Sequence, residues 1–356
     1  MTKLWQPRTL LAFLVLILPC AAQTSTSSNS GSSGRPSLAE SLGWIHRVPR
    51  NAVEFNYEMT ARVRLVFFWV GKDDVGGGYI RRGIAADNPR EEMLQVLFGS
   101  DPAKAPRAIN RWGAGTEAVW HKEAVGASGG GDDVVSSTFF GFMKSSKGKS
   151  VSEMQDELKK EKSGDAHQFT GIVSQVESGH ATSLVVPLAS KEDYTLHQYP
   201  EAEQVMLGML IGAEKPTRVL ENFGGCARAG GFLDAVAQLA DDAIRGGGAE
   251  ATSPKSLCYI YDAQVNTLTL EHVEMIDKLD VKINAARGGT LAETSYEHLV
   301  QADFVSAHQA TGKRVYFTIL LGTQGPLRGV PVQIRYQPNW WFQVVLNLLK
   351  QTQAPS

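Results

Sequence analysis

The 356-residue chain has few cysteines: three, at positions 20, 226 and 258. One of them sits in the N-terminal apolar stretch, which leaves at most two for the rest of the protein. Two cysteines cannot build a dense disulfide scaffold or a thiolate metal cluster. Long apolar runs are also scarce. Beyond the first 23 residues none approaches the roughly 20 residues of a membrane-crossing helix, and the strongest, 62–70, is broken at once by Gly71-Lys72-Asp73-Asp74. Charge of neither sign is in large excess, with 35 basic against 37 acidic side chains, which argues against a nucleic-acid footprint. The eight histidines are scattered, and no pair has the spacing of a zinc-dependent hydrolase helix. The glycine-rich run 224–231 lacks the Lys-Ser/Thr ending of a phosphate-binding loop. No metal site and no cofactor is therefore expected.

The N-terminus is the most informative segment. Lys3 and Arg8 precede the apolar run 10–18, and Pro19-Cys20-Ala21-Ala22 follows it. A short cationic stretch, a brief apolar core and a small-residue exit form the pattern of a secretory signal peptide covering 1–22. The expected location is extracytoplasmic, secreted or periplasmic. Lipid attachment at Cys20 is the lesser alternative, because Pro19 directly before the cysteine fits that pattern poorly. With the signal removed, 33 basic residues face 37 acidic ones, a formal charge of −4. Residues 23–36 are mostly Ser, Thr and Gly, with no large apolar side chain to offset the entropy of ordering; they read as a disordered tether. Residues 37–349 then form one strand-rich globular domain, or two packed subdomains dividing near 246–255, and 350–356 a disordered tail.

Hydrophobic periodicity predicts strands at both ends of this domain. Alternation over 59–70 reads as one strand that turns at Asp74-Val75-Gly76-Gly77-Gly78. Asn88-Pro89 with Glu91 and Glu92 predicts a helix running to Gly99. Strands are expected at 114–121 and 137–143, a charged helix at 151–162, and a hairpin from 169–176 and 182–188. The run 205–211 has period two and reads as a strand, with a helix after Pro200 as its rival. The clearest helix is 229–245, stopped by Gly246-Gly247-Gly248. Further strands are expected at 257–261, 267–273 and 279–283. Four more, at 302–308, 314–321, 330–336 and 341–348, recur at intervals that suit an antiparallel meander. The fold class is α+β: a large, mostly antiparallel sheet, sandwiched or curved, with several packed helices.

Candidate sites are sparse. Gly225 and Arg228 lie just before the best helix, where unpaired N–H groups favour an anion. Cys226 in the same segment is a candidate nucleophile, with His272 as the candidate base. The competing reading is a disulfide between Cys226 and Cys258 in an oxidising compartment. Tyr336 and Trp340, near the Trp340-Trp341-Phe342 run, are the candidate ring pair for a glycan or lipid. Glu271 and Glu274 fall on opposite faces of a strand, which counts against a paired-carboxylate glycosidase. The sequence therefore points to an exported or envelope-associated protein with a non-catalytic binding or structural role and an envelope or glycan partner. The alternatives are a secreted hydrolase using Cys226 and a histidine, or a glycan or lipid binder using the C-terminal aromatics.

Overall fold

The computed structural model describes residues 49–65, 68–85, 88–121, 134–144, 167–177, 180–212, 218–221, 230–246, 254–261, 264–284 and 291–349. They form fourteen strands: β1 (Arg50–Leu65), β2 (Phe68–Ile84), β3 (Glu91–Ser100), β4 (Trp112–His121), β5 (Val134–Met143), β6 (His167–Glu177), β7 (His180–Ser190), β8 (Arg218–Glu221), β9 (Lys255–Tyr261), β10 (Gln264–Asn284), β11 (Leu291–His308), β12 (Arg314–Gly322), β13 (Pro331–Asn339) and β14 (Phe342–Leu348). Two α-helices accompany them, α1 (Tyr199–Ile211) and α2 (Phe232–Arg245).

All fourteen strands belong to one antiparallel sheet in the order β8-β7-β6-β5-β4-β3-β2-β1-β14-β13-β12-β11-β10-β9. Every neighbour is the next strand in the chain except one pair: β1 lies against β14, with Tyr57 opposite Leu348 and Val63 opposite Phe342. Sequential antiparallel strands need only short connections, so the topology follows from a series of local reversals. A sheet this wide accumulates twist and curls. Its two edge strands come round towards each other. Ile260 on β9 packs with Val176 on β6 and Ala181 on β7, with Leu220 of β8 beside them, and the rings of Phe139 on β5 and Tyr261 on β9 lie 5.8 Å apart. Among the described residues the seam is closed by side chains rather than by a β8–β9 ladder.

The curled sheet has an apolar inside and a partly apolar outside. The inner core joins Tyr57, Met59 and Phe98 to Phe304, Leu320, Val344 and Leu346, and α2 contributes Ala235, Leu239 and Ala243 to it. Every residue of α2 from Phe232 to Ile244 is buried or half-buried, as expected of a helix lodged inside the sheet. On the outside α1 covers β3 to β7: Ala202, Met206 and Leu210, four residues apart on one helical face, pack with Leu97, Trp112, Phe140, Phe169 and Val186. The indole N–H of Trp112 donates to the carbonyl of Tyr194 at 2.9 Å, anchoring the segment that leads into α1.

The structure corrects several sequence expectations. Several helices packed on the sheet were expected; among the described residues there are two, one outside and one within the curl. The stretch expected as a helix after Pro89 is strand β3. Met93, Gln95 and Leu97 face α1's side while Leu94, Val96 and Phe98 face the lumen, so both faces are covered and the apolar run imitates a helix. Conversely, 205–211 belongs to α1, which starts with Pro200 in its first turn. The first hairpin reverses earlier than expected. Leu65 pairs with Phe68, and the triple glycine sits mid-strand opposite residues 57–59. Glycine is needed there, since a Cβ on Gly77 would fall 2.3 Å from the carbonyl oxygen of Tyr57. The two strands expected at 267–273 and 279–283 are one, β10. The helix expected at 151–162 lies outside the described residues.

Because Leu239 is 1% exposed and central to the inner core, Leu239→Ala should lower stability by about 2–5 kcal/mol. Urea unfolding should show a lower midpoint at an unchanged slope.

Candidate ligand cavity

Between α2 and the inner face of the sheet lies a cavity of about 220 Å³. That exceeds the ~150 Å³ that suffices for a benzene ring in a dry protein cavity. Phe55, Ile80, Val96 and Phe139 line one side, Phe317, Ile319, Ile334 and Tyr336 another, and Phe232, Val236, Ala237 and Ala240 of α2 the third. Strand alternation produces this wall: Phe55, Ile80 and Val96 are laterally paired positions on β1, β2 and β3, so their side chains project on the same face. Charged groups reach the lining only through Arg82 and Asp241, and Arg82 pairs with Glu92 at 2.9 Å. A space walled by carbon offers water too few partners and favours an apolar occupant.

The position of α2 is set at its N-terminus by a buried carboxylate from the sheet. Glu117 of β4 is fully buried. Its Oε2 accepts the backbone N–H of Leu233 at 2.8 Å and of Asp234 at 3.3 Å, two donors left unpaired at the start of the helix. Its Oε1 accepts the Ser137 hydroxyl at 2.9 Å. A side chain from another strand thus does the work of a helix cap. Gly231 is required for this approach, because a Cβ there would lie 2.2 Å from Oε1. Asp234, also buried, contacts Nε2 of His121 at 3.1 Å and accepts from the Gln238 amide at 2.8 Å. Burial, and then the neighbouring charge of Asp234, push the Glu117 carboxyl up to about 8, against the opposing effect of the Ser137 and backbone donors.

A larger, polar groove of about 600 Å³ lies on the other side of β1–β3, against the first turn of α1. Several of its charges are paired: Arg81 with Glu54, Lys104 with Asp74, and His197 with Asp101. The hydrogen bond from His197 and that of the Ala103 amide help to hold Asp101 below the usual carboxylate range. Most of the charge in this groove is thus paired within it, whereas the inner cavity is walled mainly by carbon.

The sequence-predicted residues are dispersed. Tyr336 lines the inner cavity and is 7% exposed. Trp340 sits on the β13–β14 turn, exposed, and is not among the lining residues. His272 lies on β10 at a bulge, exposed, with Glu274 3.9 Å away. Cys258 on β9 is disulfide-bonded. Gly225, Cys226 and Arg228 lie outside the described residues. Among the described residues no cluster of three or more His, Cys, Asp or Glu side chains could hold a metal, and no helix is long and apolar enough to cross a membrane.

Comparison with protein-family models and with curated proteins returns no match. Among solved structures the chain is similar to a crystal structure of a beta-barrel-like protein of a domain of unknown function, DUF1849, from Brucella abortus. The identity is 9%, with a TM-score of 0.40 over 84% of this chain and 96% of that one. A likeness this distant says nothing of what the chain does.

Sequence reading missed Glu117 and Asp234. Glu117 was one acid in a strand of mixed character, and only the packing of α2 against β4 gives it a partner. The signal that could have found it is an acidic residue amid Gly, Ala, Thr and Val (112–121), where an unpaired charge is costly to bury.

The raised Glu117 carboxyl gives stability a definite pH dependence. The folded protein holds a proton between the ordinary 4.5 and about 8 that the unfolded chain releases. The stability that this proton contributes is full below pH 4.5 and is lost progressively as pH rises towards and through 8. A melting temperature that falls by several degrees from pH 5 to pH 9, and a Glu117→Gln variant in which this component is gone, are the expected outcomes in calorimetry.

Proposed function

We propose that the protein is exported and serves as a non-catalytic carrier or sensor of an apolar small molecule, held in the cavity between α2 and the curled sheet. The observation that carries this reading is the cavity itself: a space of about 220 Å³ lined by aromatic and aliphatic side chains from seven strands and one helix. Such a site orders its occupant by shape and releases water from carbon surface. A hydrocarbon chain or a fused apolar ring system suits it; a sugar, with hydroxyls to satisfy, does not. Tyr336 is the one sequence-predicted binding residue on this wall.

Export is supported by the N-terminal pattern of Lys3, Arg8 and the apolar run 10–18. The disulfide at Cys258 is consistent with an oxidising compartment. We infer Cys226 as its partner. Gly230, four residues on, is bridged to Tyr259, and the Ile260 amide donates to the Gly230 carbonyl at 2.8 Å, which brings the chain after Cys226 beside Cys258. That pairing removes the thiol a Cys226 hydrolase needs. Thiol labelling of the unreduced, denatured protein should find neither Cys226 nor Cys258 free; a labelled Cys226 returns the hydrolase to consideration.

The cavity is tested with N-phenyl-1-naphthylamine, a neutral probe that brightens in apolar surroundings. The protein should bind it saturably, and Ala237→Trp, which fills the space, should weaken binding by about tenfold or more, the equivalent of ~1.4 kcal/mol. Unchanged binding in a folded Ala237→Trp variant, or no binding by the wild type, refutes the reading.

A further inference from the structure

One end of the curled sheet carries apolar side chains that no part of the described chain covers. At the tip of the β1–β2 hairpin Phe68 is 61%, Trp69 38% and Val70 47% exposed. Phe68 and Val70 point to one face of the strand and Trp69 to the other, so this tip stands clear of the body on both sides. The β13–β14 turn lies beside it, because β14 pairs with β1 and the Arg64 amide donates to the carbonyl of Trp341 at 2.7 Å. That turn adds Trp340, 66% exposed.

The same end is ringed by cations. Arg64 and Lys72 flank the hairpin tip and are exposed, while Lys313 and Arg314 are exposed at the β11–β12 turn, which the antiparallel order places at this end as well. Of the nearby acids, Asp74 is paired with Lys104 at 2.7 Å, while Asp73 accepts from the Thr60 hydroxyl at 2.9 Å and keeps its charge. The Lys72 ammonium donates to the Lys104 carbonyl at 2.6 Å, so among the described residues the cations at this end outnumber the one unpaired acid beside them. Exposed Trp and Phe at a projecting tip, with exposed Arg and Lys behind them, match the two layers of a membrane surface: acyl boundary and anionic headgroups.

We propose that this end of the sheet docks on the surface of an anionic lipid bilayer, with Phe68, Trp69, Val70 and Trp340 entering the interface and the flanking Arg and Lys meeting the headgroups. A glycan platform fits less well, because the rings are divided between the two faces of a strand and form no single flat array. The docking surface is distinct from the inner cavity, and each can fail without the other.

The test is flotation of the full-length mature protein with vesicles of phosphatidylcholine alone or mixed with phosphatidylglycerol. The protein should float with the mixed vesicles and much less with phosphatidylcholine, salt should weaken the association, and brominated lipid should quench its tryptophan emission. Trp69→Ser combined with Trp340→Ser should lower the partition coefficient by about tenfold, and Arg64→Glu combined with Lys72→Glu should do the same for the anionic vesicles only. The substituted side chains are exposed or at a strand tip, and the wild-type quenching needs no variant. Wild-type protein that stays with the soluble fraction overturns the proposal, as does floating that the double tryptophan variant leaves unchanged. Tryptophan quenching by soluble polysaccharide but not by lipid overturns it in favour of a glycan surface.

Discussion

The fold depends on how a sheet of fourteen twisted strands deals with its own curvature. Twist accumulated across so many strands bends the sheet round a central space, and that space has to be filled or the inner apolar face stays wet. Here the filler is a helix from the same chain. The connection between the two edge strands contains α2, so the segment that would have been a loop joining the ends of the sheet supplies the contents of its lumen. The edges then meet through Ile260, Val176 and Ala181 instead of through a ladder, and Gly230 bridges to the outer side of β9. An open edge is thereby covered without the sheet closing into a hydrogen-bonded barrel.

A helix inside a sheet brings its polar N-terminus into a place without water. Glu117 answers this by accepting two of the orphan amides, at the cost of being buried beside Asp234. The carboxyl relieves the second problem by keeping its proton to higher pH than a surface glutamate does. The same helix leaves part of the lumen unfilled, because Ala237 and Ala240 present little volume to the facing strands. The cavity and the buried carboxyl are thus two consequences of one packing choice, lying on neighbouring parts of the same element.

Much of the strand content could be read from the sequence. The C-terminal meander, the 169–188 hairpin and the helix before Gly246 were all recognisable from local periodicity, because each is stabilised by contacts close in sequence. The errors share a cause. β3 is covered on both faces and so lacks the alternation that marks a strand, and α1 carries apolar residues at period two while its packing face is set by contacts with β3 to β7. The position of the first reversal failed for a related reason. The triple glycine looks like a turn, but it serves a close approach of adjacent backbones within β2.

By itself the sequence determined what any short window can encode: the export-like N-terminus, the scarcity of cysteine, the alternating runs that become strands, and the strong amphipathic helix. The tertiary structure alone decided that β1 pairs with β14, that α2 lies inside the sheet, and that Glu117 and Asp234 share a buried site 117 residues apart in the chain. It also placed Trp340 beside the β1–β2 tip while turning Tyr336 into the lumen. The reason is physical. Local pattern fixes which face of an element is apolar, but what covers that face depends on elements far away along the chain, and binding surfaces are made where that covering is incomplete.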